Sequence, residues 1–152
     1  MDLGAEALAA RRVLNPFLSP GIDPEALTRG LRPLPEDYPR VFRGDLAAGF
    51  RSVYDAIWET RPVITRKAHQ TVLLVSTCPA EAFVAGHPFM EAFPGGYAGI
   101  ADILVPGRVW ACWKFVAPGQ RLGMAWDGLV ELDGRWAWFP RPWAFARRLA
   151  TN

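Results

Sequence analysis

The chain has 152 residues, of which 51% are apolar and 21% charged, with a formal net charge of +2. These values are typical of one globular domain and not of a disordered chain, and a domain of this size needs no metal or disulfide to fold. The small net charge gives no electrostatic reason to expect a nucleic-acid partner, and no apolar run approaches the ~18 residues of a membrane span.

The first residues do not resemble a secretory leader. Asp2 and Glu6 stand where a signal peptide carries positive charge, and Arg11 and Arg12 interrupt the apolar run. We therefore expect a cytoplasmic protein.

The cysteines and histidines indicate no metal site. Cys78 and Cys112 stand among apolar neighbours, and two cysteines are too few for a disulfide framework, so we expect buried, reduced thiols. The alternative is a bridge between them, which would require neighbouring strands. His69 and His87 are 18 residues apart and form no ligand motif, so we expect neither a metal nor a cofactor.

Residues 1–43 are predicted to form a proline-rich strap with short helices, ahead of a single α+β domain over residues 44–152. "EALAARRVL" favours a short, frayed helix, and "IDPEALTRG" predicts a short helix capped by Asp23. Residues 31–40 should be extended, because each proline biases the residue before it away from helix. This part either packs on the domain or docks a partner. The packing side chains would be Leu31, Leu34 and Tyr38.

The middle of the chain alternates between helix and strand. Apolar residues at helical spacing predict an amphipathic helix over residues 45–59. The β-branched run at 71–77 predicts a strand covered on at least one face. Residues 88–104 favour a broken helical stretch, interrupted by Pro94, Gly95 and Gly96.

The last third is predicted to be a β-meander with strands over residues 108–116, 123–132 and 135–139. Asp133 and Gly134 form the strongest hairpin signal, a two-residue turn with positive φ at both positions. That turn predicts a strand register. The paired residues are Leu132 with Arg135, Glu131 with Trp136, Val130 with Ala137, and Leu129 with Trp138.

Both faces of this predicted hairpin hold large apolar side chains. One face would carry Leu129, Glu131, Trp136 and Trp138. The other would carry Trp126, Val130, Ala137 and Phe139. We therefore expect both faces to be covered, or one to form a concavity, in an α+β fold with helices packed against a curved antiparallel sheet.

The segment "WKFVAPGQRLGMAWDGLVELDGRWAWFPRPW" resembles the closing strands of the ketosteroid-isomerase and nuclear-transport-factor-two-like (cystatin-like α+β) superfamily. The resemblance rests on a long strand, a second long strand that ends in "DG", the "RW" that follows it and a closing "RPW". It implies a bent sheet wrapped around helices as a cone-shaped barrel with an apolar pocket. Members include isomerases, cyclases, dehydratases, ligand binders and dimeric scaffolds, so the fold selects no function. The family's catalytic residues have no matching positions here.

Three residues are candidates for catalysis. Asp127 beside Trp126 could be a base in an apolar pocket, where its pKa would rise; the alternative is an ion pair with an arginine such as Arg141. Tyr97 and Asp102 could form a pair at a pocket mouth, or Tyr97 could simply pack on the sheet. Asp127 and Glu131 share a predicted face but are too far apart for a two-carboxylate mechanism.

The leading hypothesis is a non-catalytic domain that binds an apolar small molecule in an aromatic-lined pocket. The candidate ligand-binding residues are Phe93, Tyr97, Trp113, Trp126, Trp136 and Trp138. The alternatives are a protein-interaction domain, such as a homodimeric accessory or regulatory subunit, and a cofactor-free isomerase- or dehydratase-like enzyme. The tail "RPWAFARRLATN" should be a solvated turn in which an arginine stacks on Trp143 rather than a nucleic-acid site.

Overall fold

The computed structural model describes residues 2–150, and in this part the chain is an α+β fold of five α-helices and one four-stranded antiparallel sheet. The helices are α1 (Leu3–Leu14), α2 (Pro24–Arg29), α3 (Tyr38–Val41), α4 (Leu46–Glu59) and α5 (Trp143–Ala150). The strands are β1 (Val72–Pro79), β2 (Val109–Val116), β3 (Gly123–Leu132) and β4 (Arg135–Trp138), in that spatial order.

Helix α1 is longer and better packed than the short, frayed helix predicted. The Asp2 side chain accepts a hydrogen bond from the Ala5 N–H and caps the first turn. Ala10 and Leu14 are fully buried in the core. The Arg11 guanidinium donates to the Leu73 carbonyl at 2.9 Å, which joins the helix to β1. Tertiary packing therefore extends and anchors this helix.

Residues 31–40 are not the extended chain that the prolines predicted. Pro35 opens a 3-10 turn and Pro39 lies in the first turn of α3, a position that tolerates proline because that N–H needs no intrahelical partner. The carboxylate of Asp37 is fully buried and pairs with Arg135 of β4. Leu31 and Tyr38 are buried as predicted, but Leu34 is 45% exposed.

The strap and the rest of the chain contribute to one hydrophobic core. Phe17, Val41 and Phe42 of the first 43 residues belong to the same cluster of buried side chains as Trp110 and Phe139. The proline-rich segment is therefore part of the packed fold, and its prolines lie where helices and turns begin.

The predicted helix over 45–59 and the predicted hairpin are confirmed. Asp133 and Gly134 have φ values of 54° and 95°, so both turn residues are left-handed, as the turn type requires. All four predicted pairs of β3 and β4 residues form. The stretch over 88–104, predicted as broken helix, consists of three short 3-10 helices: Pro88–Met90, Gly95–Gly99 and Ala101–Ile103.

A β-bulge at Gly128 changes which side chains share a face of the sheet. Ala111 pairs with Leu129 and Cys112 with Asp127, so Gly128 has no opposite residue on β2. The extra residue reverses the alternation of side chains between the two faces of the sheet in the part of β3 that precedes Gly128.

The prediction that Trp126 lies on the face of Val130 and Ala137 is therefore wrong. The Trp126 ring instead lies 6.1 Å from the Trp138 ring, on the face of Leu129. The prediction that Asp127 and Glu131 share a face is also wrong, because the bulge places the two carboxylates on opposite faces.

Each face of the sheet is at least partly covered, and one also forms a concavity, as the apolar pattern allowed. Thr77, Ala111, Trp113 and Phe115 lie on one face, which we call the α1 face because Thr77 donates to the Leu3 carbonyl of α1. The opposite face carries Ser76, Trp110, Cys112, Lys114 and Asp127, and we call it the pocket face. At one end of the pocket face, rings from α4 and the chain around it pack on Trp110 and Phe139.

The sheet is open, with β1 and β4 at its edges, so the described residues do not close it into a barrel. The tail, predicted as a solvated turn, forms helix α5, although its last two residues lie outside the described part of the chain. The predicted stacking of an arginine holds, because the Arg141 guanidinium lies 5.1 Å from the centre of the Trp143 ring. Among residues 2–150, no helix combines the length and apolar composition needed to cross a membrane.

Candidate functional site

A pocket with a volume of about 580 Å³ lies on the pocket face, at the end of the sheet away from the rings that pack on Trp110 and Phe139. Its floor consists of side chains that the register places on this face. They are Leu74, Ser76, Cys112, Lys114, Ala125 and Asp127. The chain at Ala92, Phe93 and Pro94 forms one wall, and Arg121 of the β2–β3 connection lies at the rim. The size is within the range of small-molecule sites.

The bulge positions Asp127 at the inner end of this pocket. Gly128 has a φ of 93°, a conformation that favours glycine, and its carbonyl accepts a hydrogen bond from the Phe139 N–H at 2.6 Å. The Asp127 carbonyl accepts a second bond from the Trp138 indole N–H at 2.9 Å. Backbone geometry, rather than the strand's ordinary alternation, therefore turns the Asp127 carboxyl towards the pocket.

The two oxygens of the Asp127 carboxyl have different environments. Oδ1 accepts a hydrogen bond from the Tyr97 hydroxyl at 2.6 Å and another from the backbone N–H of Arg141 at 3.0 Å. Oδ2 accepts no hydrogen bond from any residue between 2 and 150. Because Asp127 lines the pocket, Oδ2 is the oxygen available to a ligand.

Burial raises the pKa of the Asp127 carboxyl above its ordinary value of 3.8, and the hydrogen bonds from Tyr97 and Arg141, with the Arg141 charge, oppose that rise. The predicted rise is therefore confirmed in direction. The alternative, an ion pair of Asp127 with Arg141, does not form within the described residues: the backbone N–H of Arg141 donates to the carboxyl, and its guanidinium lies over Trp143.

Tyr97 reaches Asp127 from the 3-10 helix Gly95–Gly99. Its ring is fully buried, 4.6 Å from the Phe83 ring and 5.7 Å from the Trp110 ring, so only the hydroxyl faces the carboxyl. Burial and the neighbouring Asp127 raise the pKa of Tyr97 well above its ordinary value. The hydroxyl therefore stays protonated and acts as a donor.

Cys112 joins the floor of the pocket to its wall. Its Sγ donates to the Ala92 carbonyl at 3.4 Å, and its neighbour across the sheet is Asp127. Burial raises the pKa of Cys112 to about 12, and that of Cys78 also to about 12. Both cysteines are free, as expected, although β1 and β2 are neighbours: Cys78 pairs with Trp110 and Cys112 with Ser76.

The structure brings together only some of the predicted site residues. Phe93, Trp113 and Trp126 lie in the pocket wall, and Tyr97 lies behind it on Asp127. The register puts the Trp113 and Trp126 side chains on the α1 face, so β2 and β3 border the pocket there through their backbone.

The remaining predicted residues lie elsewhere. Trp136 and Trp138 are 5% and 3% exposed and belong to the core rather than to the pocket wall. Asp102 is exposed, beside Arg147 on another surface, and the Tyr97 hydroxyl bonds Asp127 instead of Asp102. The predicted pairing of Tyr97 with Asp102 is therefore wrong.

Sequence reasoning missed Leu74, Lys114 and Arg121. Leu74 and Lys114 stand in predicted strands at positions whose faces only the register decides, and Arg121 follows a predicted turn. A glycine inside a predicted strand, here Gly128, is the signal that could have revealed the bulge.

The site combines a mainly apolar cavity with one inward carboxyl and two cations near its mouth. Such an arrangement can bind an organic molecule by burial and orient it by a few polar contacts. It can also move a proton to or from a bound molecule through Asp127 Oδ2. In the described part of the chain, no group of three or more histidine, cysteine or acidic side chains is placed to hold a metal ion.

Comparisons with protein-family models, with curated protein sequences and with solved structures found no match to this chain.

Proposed function

We propose that the protein binds a small, largely apolar molecule in the pocket on the sheet face, with the Asp127 carboxyl as its inner polar anchor. The observation that carries this proposal is the unshared Oδ2 of Asp127 at the inner end of a cavity of about 580 Å³. A carboxyl partly withdrawn from water in a mainly apolar cavity is costly, and such groups cluster at functional sites.

The resemblance to the nuclear-transport-factor-two-like superfamily supports the same proposal. In that superfamily a bent sheet and its helices enclose an apolar pocket, and we propose that the cavity above β1, β2 and β3 corresponds to it. The open four-stranded sheet, with helices at one end and a cavity at the other, is compatible with a cone-shaped arrangement.

Calorimetric titration with a panel of small lipophilic molecules tests this proposal. Ala125 is exposed and points into the pocket, so Ala125→Trp should fill the cavity without disturbing the core. Ala56→Trp, on the exposed surface of α4, is the matched control. We expect saturable binding to the wild type and the control, and none to Ala125→Trp. Equal binding to all three proteins would contradict the proposal. Light scattering on the same samples tests the homodimeric alternative.

A second candidate function is proton transfer, as in a cofactor-free isomerase or dehydratase. The hydrogen bond from Tyr97 holds Asp127 in one orientation and leaves Oδ2 facing the cavity, where it could accept a proton from a C–H bond. The test is exchange of the carbonyl-adjacent hydrogens of octan-2-one in deuterated water. If Asp127 acts as the base, the wild type accelerates this exchange and Asp127→Asn does not. Equal rates in both proteins would exclude this role.

A further inference from the structure

We infer that the ligand of this pocket is an amphipathic organic anion, an alkyl or aryl carboxylic acid, whose acid group lies at the mouth between Lys114 and Arg121. The inference rests on the proposed function and adds the charge and the orientation of the ligand. Four features of the pocket support it: two unpaired cations, a carboxyl at the opposite end, apolar side chains between them, and an open mouth.

Lys114 is the first cation at the mouth. It lies on the pocket face two residues from Cys112, and it pairs with Ala125, whose small side chain leaves room beside the lysine stem. Lys114 is half-buried, and no carboxylate between residues 2 and 150 forms an ion pair with it. A half-buried ammonium without a protein counter-charge favours an anionic ligand.

Arg121 is the second cation, and it approaches from the connection between β2 and β3. It also has no ion pair within the described residues. Other arginines of the chain have protein partners: Arg135 pairs with Asp37, while Arg11 and Arg66 donate to backbone carbonyls. A guanidinium offers two parallel N–H donors to a carboxylate, which suits Arg121 to this group.

Asp127 determines the orientation of the ligand. It lies about 7 Å further along the sheet than Lys114, since two residues of a strand span that distance. A second anion would be repelled at this inner end, so the acid group must point outward. A ligand hydroxyl or amide could instead donate to Oδ2.

The floor and wall between these polar ends suit a hydrocarbon body. Leu74 is 38% exposed and presents an apolar side chain to the cavity from the floor. Phe93 and Pro94 face it across the cavity. Burying an alkyl chain between them would favour binding, because apolar surface is removed from water. The pocket thus has an apolar middle and a cationic mouth.

Calorimetric titration with octanoate, octan-1-ol and octylamine tests the inference, because the three share one alkyl chain and differ in charge. The test variant is Lys114→Gln with Arg121→Gln. The control is Lys67→Gln with Arg12→Gln, two exposed cations away from the pocket, which changes the net charge by the same amount. We expect octanoate to bind the wild type and the control about tenfold more tightly than octan-1-ol, and the test variant to lose this preference.

Two outcomes would overturn the inference, and they are distinguishable. If octan-1-ol or octylamine binds as tightly as octanoate, and Ala125→Trp abolishes that binding, the ligand charge is wrong while the pocket function stands. If none of the three binds, both proposals fail. Added salt provides a second readout on the wild type alone, since it should weaken the binding of octanoate but not that of octan-1-ol.

Discussion

The Tyr97 hydroxyl donates a 2.6 Å hydrogen bond to Oδ1 of Asp127, although the two residues are 30 positions apart in the chain. The bond lowers the pKa of the carboxyl against the larger, opposite effect of burial. Tyr97→Phe should therefore raise the pKa of Asp127 further and destabilise the fold by about 1.5–3 kcal/mol, the usual contribution of a hydrogen bond to a charged group.

Carboxyl-carbon NMR titration measures this change directly. Tyr54→Phe is the control, because its buried hydroxyl donates to the Pro140 carbonyl rather than to Asp127. That variant should lose stability but leave the Asp127 pKa unchanged. An unaltered pKa in Tyr97→Phe would contradict the role assigned to the bond.

The raised pKa of Asp127 also predicts how stability depends on pH. The folded protein holds this proton more tightly than the unfolded chain, whose carboxyl has the ordinary value of 3.8. The contribution of Asp127 to stability is therefore fully present below pH 3.8 and is lost as the pH rises through the folded pKa.

Asp127→Asn isolates this contribution, because its side-chain oxygen can still accept from Tyr97 and Arg141 and it does not titrate. Urea unfolding of both proteins across this pH range gives the difference in free energy, wild type minus variant. We expect the difference to fall with rising pH. A constant or rising difference would show that burial does not dominate the carboxyl's environment.

The bulge at Gly128 should tolerate no side chain. A Cβ there would lie 2.1 Å from the Phe139 carbonyl oxygen, and the φ of 93° adds strain for any other residue. Gly128→Ala should therefore destabilise the protein by about 3 kcal/mol or more. Gly134→Ala is the control, because its φ of 95° is similar but no atom lies within 4 Å of its Cβ.

Thermal unfolding compares the two variants. Gly134→Ala should cost about 1 kcal/mol, from backbone strain alone. Equal losses in the two variants would mean that the close approach of Phe139 to Gly128 does not matter.

Local signals in the sequence were enough to predict the hairpin. The Asp133-Gly134 turn specifies its own backbone conformation, and that conformation determines the pairing of the strands beside it. The same dipeptide at Asp127-Gly128 forms a bulge instead. A glycine inside a predicted strand is a signal for a bulge, but the contact that stabilises this one, from the Phe139 N–H to the Gly128 carbonyl, cannot be predicted from the dipeptide.

The candidate site was predictable only in part. The sequence suggested that Asp127 sits in an apolar pocket, because its neighbours are apolar. The alternative was an ion pair with an arginine such as Arg141; the carboxyl instead accepts hydrogen bonds from the Tyr97 hydroxyl and the backbone N–H of Arg141. Tertiary contacts of the 3-10 helix Gly95–Gly99 bring Tyr97 there, and short 3-10 segments have no periodicity from which such contacts can be predicted.

The prolines misled the prediction for residues 31–40 for a different reason. Proline disfavours helix at the residue before it, but it also fits the first turn of a helix. Pro35 and Pro39 take the second role. Burial of Asp37 beneath Arg135, nearly 100 residues away, decides between these two behaviours, and that contact is tertiary.

Both thiols should be unreactive in the folded protein. Burial raises the pKa of Cys78 and Cys112 to about 12, so almost no thiolate forms at pH 8. A disulfide reagent should modify neither thiol quickly in buffer and both in guanidinium. Cys112 borders the pocket and Cys78 does not, so any slow native reaction should occur at Cys112. Rapid native modification of Cys78 would contradict the packing of this strand.

An amide NMR map of the protein with saturating octanoate tests the central claim most directly, because it locates the ligand on the molecule. The pocket predicts that the largest shifts fall on Leu74, Cys112, Ala125 and Asp127, with the Tyr97 amide also affected. Shifts centred on exposed apolar residues elsewhere, such as Leu8 and Val84, or no shifts at all, would contradict a ligand site on this face of the sheet.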